Sequence, residues 1–376
     1  MIFLGIGILF LVLQDAILWW RIVYRFRDHS RSVYRIEKLP TISVFLAARN
    51  EQDNLPGCLQ ALDELRYPRD KITFYVGDDG STDRSPEILS RWVQGKSQCK
   101  VRIFQDLVRP GQNGKARVLA ELIKESNAAI YLFTDADCRV PRDWALEMVA
   151  AFRSEYGLCT GVTKVGDRHW FGRMQAIEWW LSLGIVKVVA DFGVCLTAMG
   201  NNMLISAEAY RKVGGFEAVW TSVTEDLAIS ERLFQIGFRP IHHVSKACLV
   251  ETNGIETFAG LMRQRKRWAK GAMSLSWYWV LLLACQMAFF PLILIGLFFF
   301  PLLSLSGWVI KITVQALFIR AFASKAETKI SIFDLIFFES YYLFSSWATL
   351  LYYIWPSPVK WKNRSYGSWW LPFLGI

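Results

Sequence analysis

The sequence predicts an α/β protein whose mainly parallel sheet lies between hydrophobic segments at the two ends of the chain. Three observations carry this. Between Thr41 and Thr134 short apolar runs alternate with stretches of helical spacing, the order that builds a parallel sheet. Three of those runs end in acids or amides, and ligands bind at the carboxyl ends of strands in such sheets. Hydrophobic residues make up 53% of the 376, with 17 Trp, and residues 271–310 hold no charged side chain, room for about two membrane-spanning helices of ~20 residues each.

Taken in order, residues 1–24 form an apolar anchor, interrupted by Gln14 and Asp15. No basic segment precedes it and no small-residue cleavage site follows, so it reads as a retained helix rather than a signal peptide. Residues 41–255 form the sheet domain. Thr41–Leu46 is a strand running into Ala47-Ala48-Arg49-Asn50-Glu51, followed by a helix with Leu55, Leu59, Leu62 and Leu65 at helical spacing. Ile72–Val76 is the second strand and stops at Gly77-Asp78-Asp79-Gly80-Ser81. Ser85-Pro86-Glu87 opens the next helix. Val101–Phe104 is the third strand, and Gly111–Ala116 leads into a helix through Leu119, Leu122 and Ile123. Ile130-Tyr131-Leu132-Phe133-Thr134 is the fourth, delivering Asp135 and Asp137 to its end. The whole is Rossmann-like. Residues 256–271 form an amphipathic interfacial helix, residues 272–356 a second membrane region, and residues 357–376 a basic, aromatic tail.

The net charge of +10 invites a nucleic-acid reading, but its placement argues against such a partner. Arg21, Arg25, Arg27, Arg31 and Arg35 follow the first apolar run; Arg263, Arg265, Lys266, Arg267 and Lys270 precede the second. Positive flanks mark the cytoplasmic side of a membrane and attract anionic headgroups, which puts the region between them on the cytoplasmic face. The seven cysteines show no C-x-x-C spacing, as expected in a reducing compartment and not of structural zinc.

Asp135 and Asp137 carry the chemistry. On an extended chain they point the same way, and converging carboxylates repel unless a cation sits between them. Hard oxygen ligands suit Mg²⁺ or Mn²⁺ carrying a diphosphate. The alternative is an acidic cap on the helix after Pro141. The chain has neither G-x-G-x-x-G nor G-x-x-x-x-G-K-[ST], which disfavours dinucleotide and P-loop chemistry.

The succession Ala47-Ala48-Arg49-Asn50-Glu51, Asp78-Asp79-Gly80-Ser81, Gly114-Lys115-Ala116, Asp135-Ala136-Asp137, Thr224-Glu225-Asp226 and Gln264-Arg265-Lys266-Arg267-Trp268 resembles the family 2 glycosyltransferases of the GT-A fold, from about Thr41 to Trp268. Among them it looks most like bacterial membrane enzymes similar to ceramide glucosyltransferase, which implies an integral protein of the inner membrane. The tail from Trp361 to Tyr366 is similar to that subgroup's W-x-G-R-x-Y, with Asn363 in place of Gly.

The resemblance implies a donor site of Ala48, Asn50, Glu51, Asp78, Asp79, Lys115, Asp135, Asp137, Gln264 and Arg267. Glu51 and Asp79 would hold the nucleoside, Asp135 the ribose, and Asp137 the metal, Mg²⁺ or Mn²⁺. Lys115 would offer a point charge near base or phosphate. Glu225, Trp268, Gly200 and Asn201 would lie toward the acceptor. Asp226 is the candidate general base, with Glu225 holding its pKa away from solution values; Thr224 would cap the helix that follows. Gln264, Arg267 and Trp268 share one helical face, able to offer a guanidinium to diphosphate and an indole to a sugar. The basic residues around them suit headgroups. The implied reaction is inverting transfer of a sugar from a UDP-linked donor to a lipid or lipid-linked acceptor. A processive polysaccharide synthase and a non-catalytic membrane scaffold are the alternatives.

Three further expectations concern the remainder. Residues 171–191, with Met174, Ile177, Trp180 and Leu181 on one face, form a helix on the membrane surface or at an acceptor entrance. His169, His242 and His243 are satisfied surface or loop residues. The apolar blocks 272–289, 290–310 and 332–354, with basic residues between Lys311 and Lys329 and again at 360–364, leave the membrane parity undetermined.

Overall fold

The structure, a computed structural model, describes residues 2–30, 39–105, 111–153, 155–166, 169–362 and 364–366. Arg31, Arg35 and Asn363 lie outside them. After α1 (Ile2–Tyr24), strands β1 (Ile42–Ala48), β2 (Ile72–Asp79), β3 (Cys99–Phe104) and β4 (Ile130–Thr134) alternate with α2 (Leu55–Asp63), α3 (Ser85–Trp92) and α4 (Gly114–Ile123). There follow β5 (Cys138–Arg139), α5 (Trp144–Ala151), β6 (Leu158–Thr160), β7 (Thr163–Val165), α6 (Trp170–Asp191), β8 (Asn202–Ser206), α7 (Ala207–Lys212), α8 (Glu225–Gln235), β9 (Pro240–His242) and β10 (Val250–Thr252). The chain ends with α9 (Phe258–Ala272), α10 (Trp277–Phe299), α11 (Pro301–Lys325), α12 (Ile332–Ile354) and the paired β11 (Val359–Trp361) and β12 (Arg364–Tyr366).

The chain forms two compact units. The sheet unit comprises Asp28–Gly166, Val189–Asn253 and Ser357–Ile376; the helical unit comprises Met1–Arg27, Asp167–Val188 and Gly254–Pro356. This is not the linear division expected from sequence: most of α6 leaves the sheet unit and the tail joins it.

In the sheet unit seven strands run in the order β3-β2-β1-β4-β8-β6-β9. β3, β2, β1 and β4 are parallel, as the alternation requires; β8 is antiparallel to both β4 and β6. Every residue of β4 is buried, which explains why it reads as an unbroken apolar run. Phe45 stacks on Tyr75 at 5.1 Å and on Phe133 at 5.6 Å, and Val118, Leu119 and Leu122 of α4 close over this layer. A Cβ on Gly77 would fall 2.3 Å from Val118, so the glycine lets α4 lie directly on β2 and brings the start of α4 to the acidic rim.

Among the described residues, α1, α10 and α11 of the helical unit are the three helices long and apolar enough to cross a membrane. Ile8 and Leu11 of α1 pack with Phe289 and Ile293 of α10, and Gly307 of α11 lies against Ile8. Small residues allow such close approach where lipid gives no hydrophobic drive. Pro291 lies inside α10 and the break falls at Phe300, about ten residues later than the expected division. α12 carries two acids that pair with neighbouring helices: Asp334 pairs with Arg173 of α6 at 3.1 Å, and Glu339 pairs with Lys311 of α11 at 3.1 Å while accepting from Trp308 Nε1. Arg364 of the tail bonds Asp79 inside the sheet unit.

α6 also differs from expectation. Met174, Ile177, Trp180 and Leu181 are buried, but against protein: Trp180 meets Phe322 of α11 at 5.7 Å and Gly184 lies against Phe318. Apolar residues at helical spacing cannot tell a lipid surface from a neighbouring helix.

Candidate functional site: an acidic rim around Lys115

The strands of the sheet unit end where their sequences turn acidic. Asp78 closes β2 with a tight turn, its carboxylate accepting from Ser81 N at 2.8 Å and from Ser81 Oγ. Gly80 takes a φ of +64° there. Asn50, itself at φ +52°, donates its N–H to Ser81 Oγ and accepts from Thr82 N, both at 2.8 Å, lacing the end of β1 to the end of β2. Ala48 is buried opposite Asp78. These three residues shape the rim. Glu51 and Asp79 occupy it. Glu51 accepts from Asn54 Nδ2 and pairs with Lys362 Nζ, each at 2.7 Å. Asp79 is 3% exposed and bonds the guanidinium of Arg364.

Lys115 stands at the centre. Asn113 caps α4, its Oδ1 accepting from Ala116 N at 3.2 Å, and this turn sends Lys115 across the rim. Its ammonium lies 2.5 Å from Asp135 and 3.0 Å from Glu225. Burial alone would lower its pKa, but Asp135, Glu225 and Asp226 outweigh burial and hold it above the usual lysine range. Glu225 also accepts from Asn113 Nδ2 at 2.8 Å. One lysine thus joins three motifs that lie far apart in sequence.

Asp226 adjoins this cluster at the start of α8. Its Oδ2 accepts from Gly200 N at 3.0 Å and its Oδ1 from Leu227 N at 2.8 Å. Burial and then Glu225 push its pKa up to about 6, against the pull of Lys115 and the two backbone donors. A carboxylate so tuned is a competent base near neutral pH. A Cβ on Gly200 would sit 3.1 Å from Asp226 Oδ2 and 3.3 Å from Lys115 Nζ, so a glycine is what this approach tolerates. Thr224 precedes α8 but makes no side-chain cap bond.

The D-x-D geometry differs from expectation. β4 stops at Thr134, and a turn closed by Cys138 N on Asp135 O at 3.0 Å carries Asp137, so strand alternation does not set its direction. Burial, then Asp135 and Glu51, push Asp137 up to about 6. Such an accumulation of buried negative charge fits a divalent cation. Among the described residues no group of three or more His, Cys, Asp or Glu could hold a metal alone. Asp137 would therefore share it with ligand oxygens and water, as Mg²⁺ usually binds. Cys58 and Cys138 lie beside these acids, but burial and the same carboxylates raise both thiols, which keeps thiolate ligands out.

The remaining expected residues divide between the units. Asn201 is buried and its Oδ1 accepts from Thr163 Oγ1 at 3.2 Å; Gly200 faces Asp226. In the helical unit, Gln264, Arg267 and Trp268 lie half-buried on α9. Trp268 meets Trp179 edge-on at 5.7 Å, with the Arg265 guanidinium 5.0 Å from its ring centroid. The basic residues of α9 are not all turned to headgroups. Arg265 pairs with Glu178 of α6, and Lys266 donates to Tyr352 O and Trp355 O at 3.1 and 2.7 Å, satisfying carbonyls at the end of α12. His242 and His243 are buried rather than superficial, bonded to Thr160 Oγ1 and Glu147 Oε1, each at 2.8 Å.

Three residues of the rim were not anticipated as part of it. Asn113 was legible, an Asn immediately before a helix. Arg49, which donates to Gly80 O at 3.3 Å, had no local signal of its role, and Arg364 lay in the tail's W-x-G-R-x-Y-like stretch with nothing to tie it to Asp79.

A sheet of this order with four of its six strand pairings parallel and acids at its strand ends is a GT-A-type fold. The chain belongs to glycosyl transferase family 21, whose model matches residues 9–370. The motifs alone had suggested family 2. Among its relatives, a beta-monoglucosyldiacylglycerol synthase of Synechocystis sp. is 29% identical over 254 residues, 64% of this chain and 50% of that protein. A poly-beta-1,6-N-acetyl-D-glucosamine synthase of Staphylococcus aureus is 28% identical over 251 residues, covering 66% and 58%. The chain thus spans about half the length of the curated relatives it matches. A mannosyltransferase from Pyrobaculum calidifontis, solved with GDP-Man and Mn²⁺, shares the fold at a TM-score of 0.58 and 16% identity, covering 94% of this chain and 99% of that one.

Proposed function

We propose that the protein is a membrane-bound inverting glycosyltransferase that moves a sugar from a UDP-linked donor to a lipid or lipid-linked acceptor at the cytoplasmic face. The observation that carries this reading is the convergence of Asp135, Glu225 and Asp226 on Lys115 at the rim of the sheet, with Gly200 pressed against Asp226. A base raised to about 6, a cation held in place and an adjacent acidic pair are what sugar transfer from a nucleoside diphosphate requires. Glu51 and Asp79 hold the nucleoside. Asp135 contacts the ribose, and Asp137 would hold Mg²⁺ or Mn²⁺, which when bound would stabilise charge on the departing diphosphate. Asp226 takes the acceptor hydroxyl proton while that oxygen attacks the anomeric carbon from the face opposite the diphosphate. Gln264 and Arg267 serve the donor and Trp268 the acceptor, by resemblance.

The Synechocystis relative supports a lipid acceptor and the staphylococcal relative supports a processive synthase. Detergent-purified protein incubated with a panel of nucleotide sugars, Mg²⁺ or Mn²⁺ and total membrane lipid tests the reading, with mass spectrometry of the products. A lipid carrying one added sugar is expected. A polymer ladder overturns single addition, and no consumption of any donor overturns the enzyme.

A further inference from the structure

Arg364 and Asp79 are 285 residues apart in sequence, yet the guanidinium bonds Asp79 Oδ2 through Nη1 and lies 3.5 Å from Asp79 O through Nη2. The arginine arrives on a short hairpin in which Trp361 pairs with Arg364. Lys362, at φ +47°, lies between them and is fixed from three sides. Its Nζ bonds Glu51 at 2.7 Å and Asn50 O at 3.2 Å, and its carbonyl accepts from Arg49 Nε at 3.2 Å. The chain beyond α12 therefore brings one cation to each of the two carboxylates read as nucleoside ligands.

We propose that Arg364 is a positioning residue of the nucleotide site, holding the Asp79 carboxylate ionised and aimed to accept from an N–H or O–H of the donor's nucleoside. This rests on the reading of Asp79 as a nucleoside ligand. The Asp79 side chain is 4% exposed, and an isolated carboxylate so buried takes up a proton. Burial is the larger influence and leaves Asp79 above the ordinary carboxylate range, while Arg364, followed by Arg49, pulls against that rise. A protonated carboxyl would present a hydroxyl where the nucleoside needs an acceptor. A carboxylate can accept about four hydrogen bonds, so a single guanidinium on Oδ2 leaves capacity for a ligand.

Gly114 supports the same geometry. A Cβ there would fall 2.2 Å from both Arg364 Nη1 and Asp79 Oδ2, so the pair lies directly on the first residue of α4, one position before Lys115. The opposite role, a plug whose cations shut the site, would require both pairs to break before nucleotide binds. Arg364 keeps 23% of its side chain exposed, an open side from which a ligand can approach the intact pair.

The test is calorimetric binding of UDP and of GDP, with Mn²⁺, to the detergent-purified full chain as wild type, Arg364→Ala, Arg364→Lys, Asp79→Asn and the double variant. Arg364→Ala should weaken UDP about tenfold or more, the worth of a charge-assisted bond. In turnover the loss should fall mainly in the donor's KM. Arg364→Lys should recover part of the affinity, as should millimolar guanidinium added to Arg364→Ala. The double variant should bind no more weakly than Asp79→Asn, because the arginine acts through that carboxylate. Weakened binding by Asp79→Asn together with unchanged binding by Arg364→Ala overturns the proposal, and tighter binding by Arg364→Ala overturns it in favour of a plug. Wild-type affinity in Asp79→Asn overturns the nucleoside reading itself.

Discussion

The acids of α6 and α12 in the helical unit and those of the sheet unit's rim are neutralised in different ways. In the helical unit each internal acid of α6 and α12 meets a matching cation: Glu178 with Arg265, Asp334 with Arg173, Glu339 with Lys311. In the rim of the sheet unit the acids outnumber what Lys115 can neutralise. Asp135, Glu225 and Asp226 share it, and Asp137 and Asp226 are driven up to about 6. Matched pairs hold helices in register, whereas an unmatched surplus costs stability and persists where a ligand supplies the missing charge.

Asp226→Asn gives the largest expected effect. Sugar transfer should fall about 10²–10⁴-fold, the usual worth of a general base, while nucleotide binding persists. Retained turnover would remove the chemical reason for the surplus. Next, Lys311→Met should destabilise the helical unit by about 3 kcal/mol or more, because Glu339 is left buried without a cation, with Trp308 Nε1 as a neutral donor. Adding Glu339→Leu should restore most of the melting temperature in detergent, as a matched pair predicts; failure to recover would make that pair more than structural.

pH comes third. Asp226 acts as a base only when deprotonated, and its pKa is raised from 3.8 to about 6. With metal saturating, kcat/KM should therefore rise with pH up to about 6 and level off above it, whereas a base of ordinary pKa would already be level at pH 5. Gly200→Ala should cost less: its Cβ meets Asp226 and Lys115 at 3.1–3.3 Å, so both must shift by a few tenths of an ångström. A several-fold loss in kcat with little change in melting temperature is expected, on the order of 1 kcal/mol in the barrier. Smallest is Thr224→Ala. A working N-cap is worth about 1 kcal/mol, but Thr224 makes no cap bond, so the change in stability should stay within ~0.5 kcal/mol.

Much of this was legible in the chain. Alternation of apolar runs with helical spacing gave β1 to β4 and α2 to α4 within a few residues, because parallel strands buried on both faces need continuous apolar sequence. The acids at the strand ends marked the rim. Asp137 shows the limit: the two-residue spacing implied a shared face, but the strand ends at Thr134 and a turn decides. α6 shows another, since its apolar face was plain while the surface it meets, Phe318 and Phe322 of α11, was not.

By itself the sequence determined which segments are strands, which helices are apolar enough to span, and which acids stand at strand ends, because local periodicity and composition govern all three. Only the tertiary structure decided which charges meet. It placed Lys115 among Asp135, Glu225 and Asp226, set Arg364 on Asp79, and joined Lys311 to Glu339. Partners of a buried charge are chosen by packing across long stretches of chain, and no local pattern records that choice.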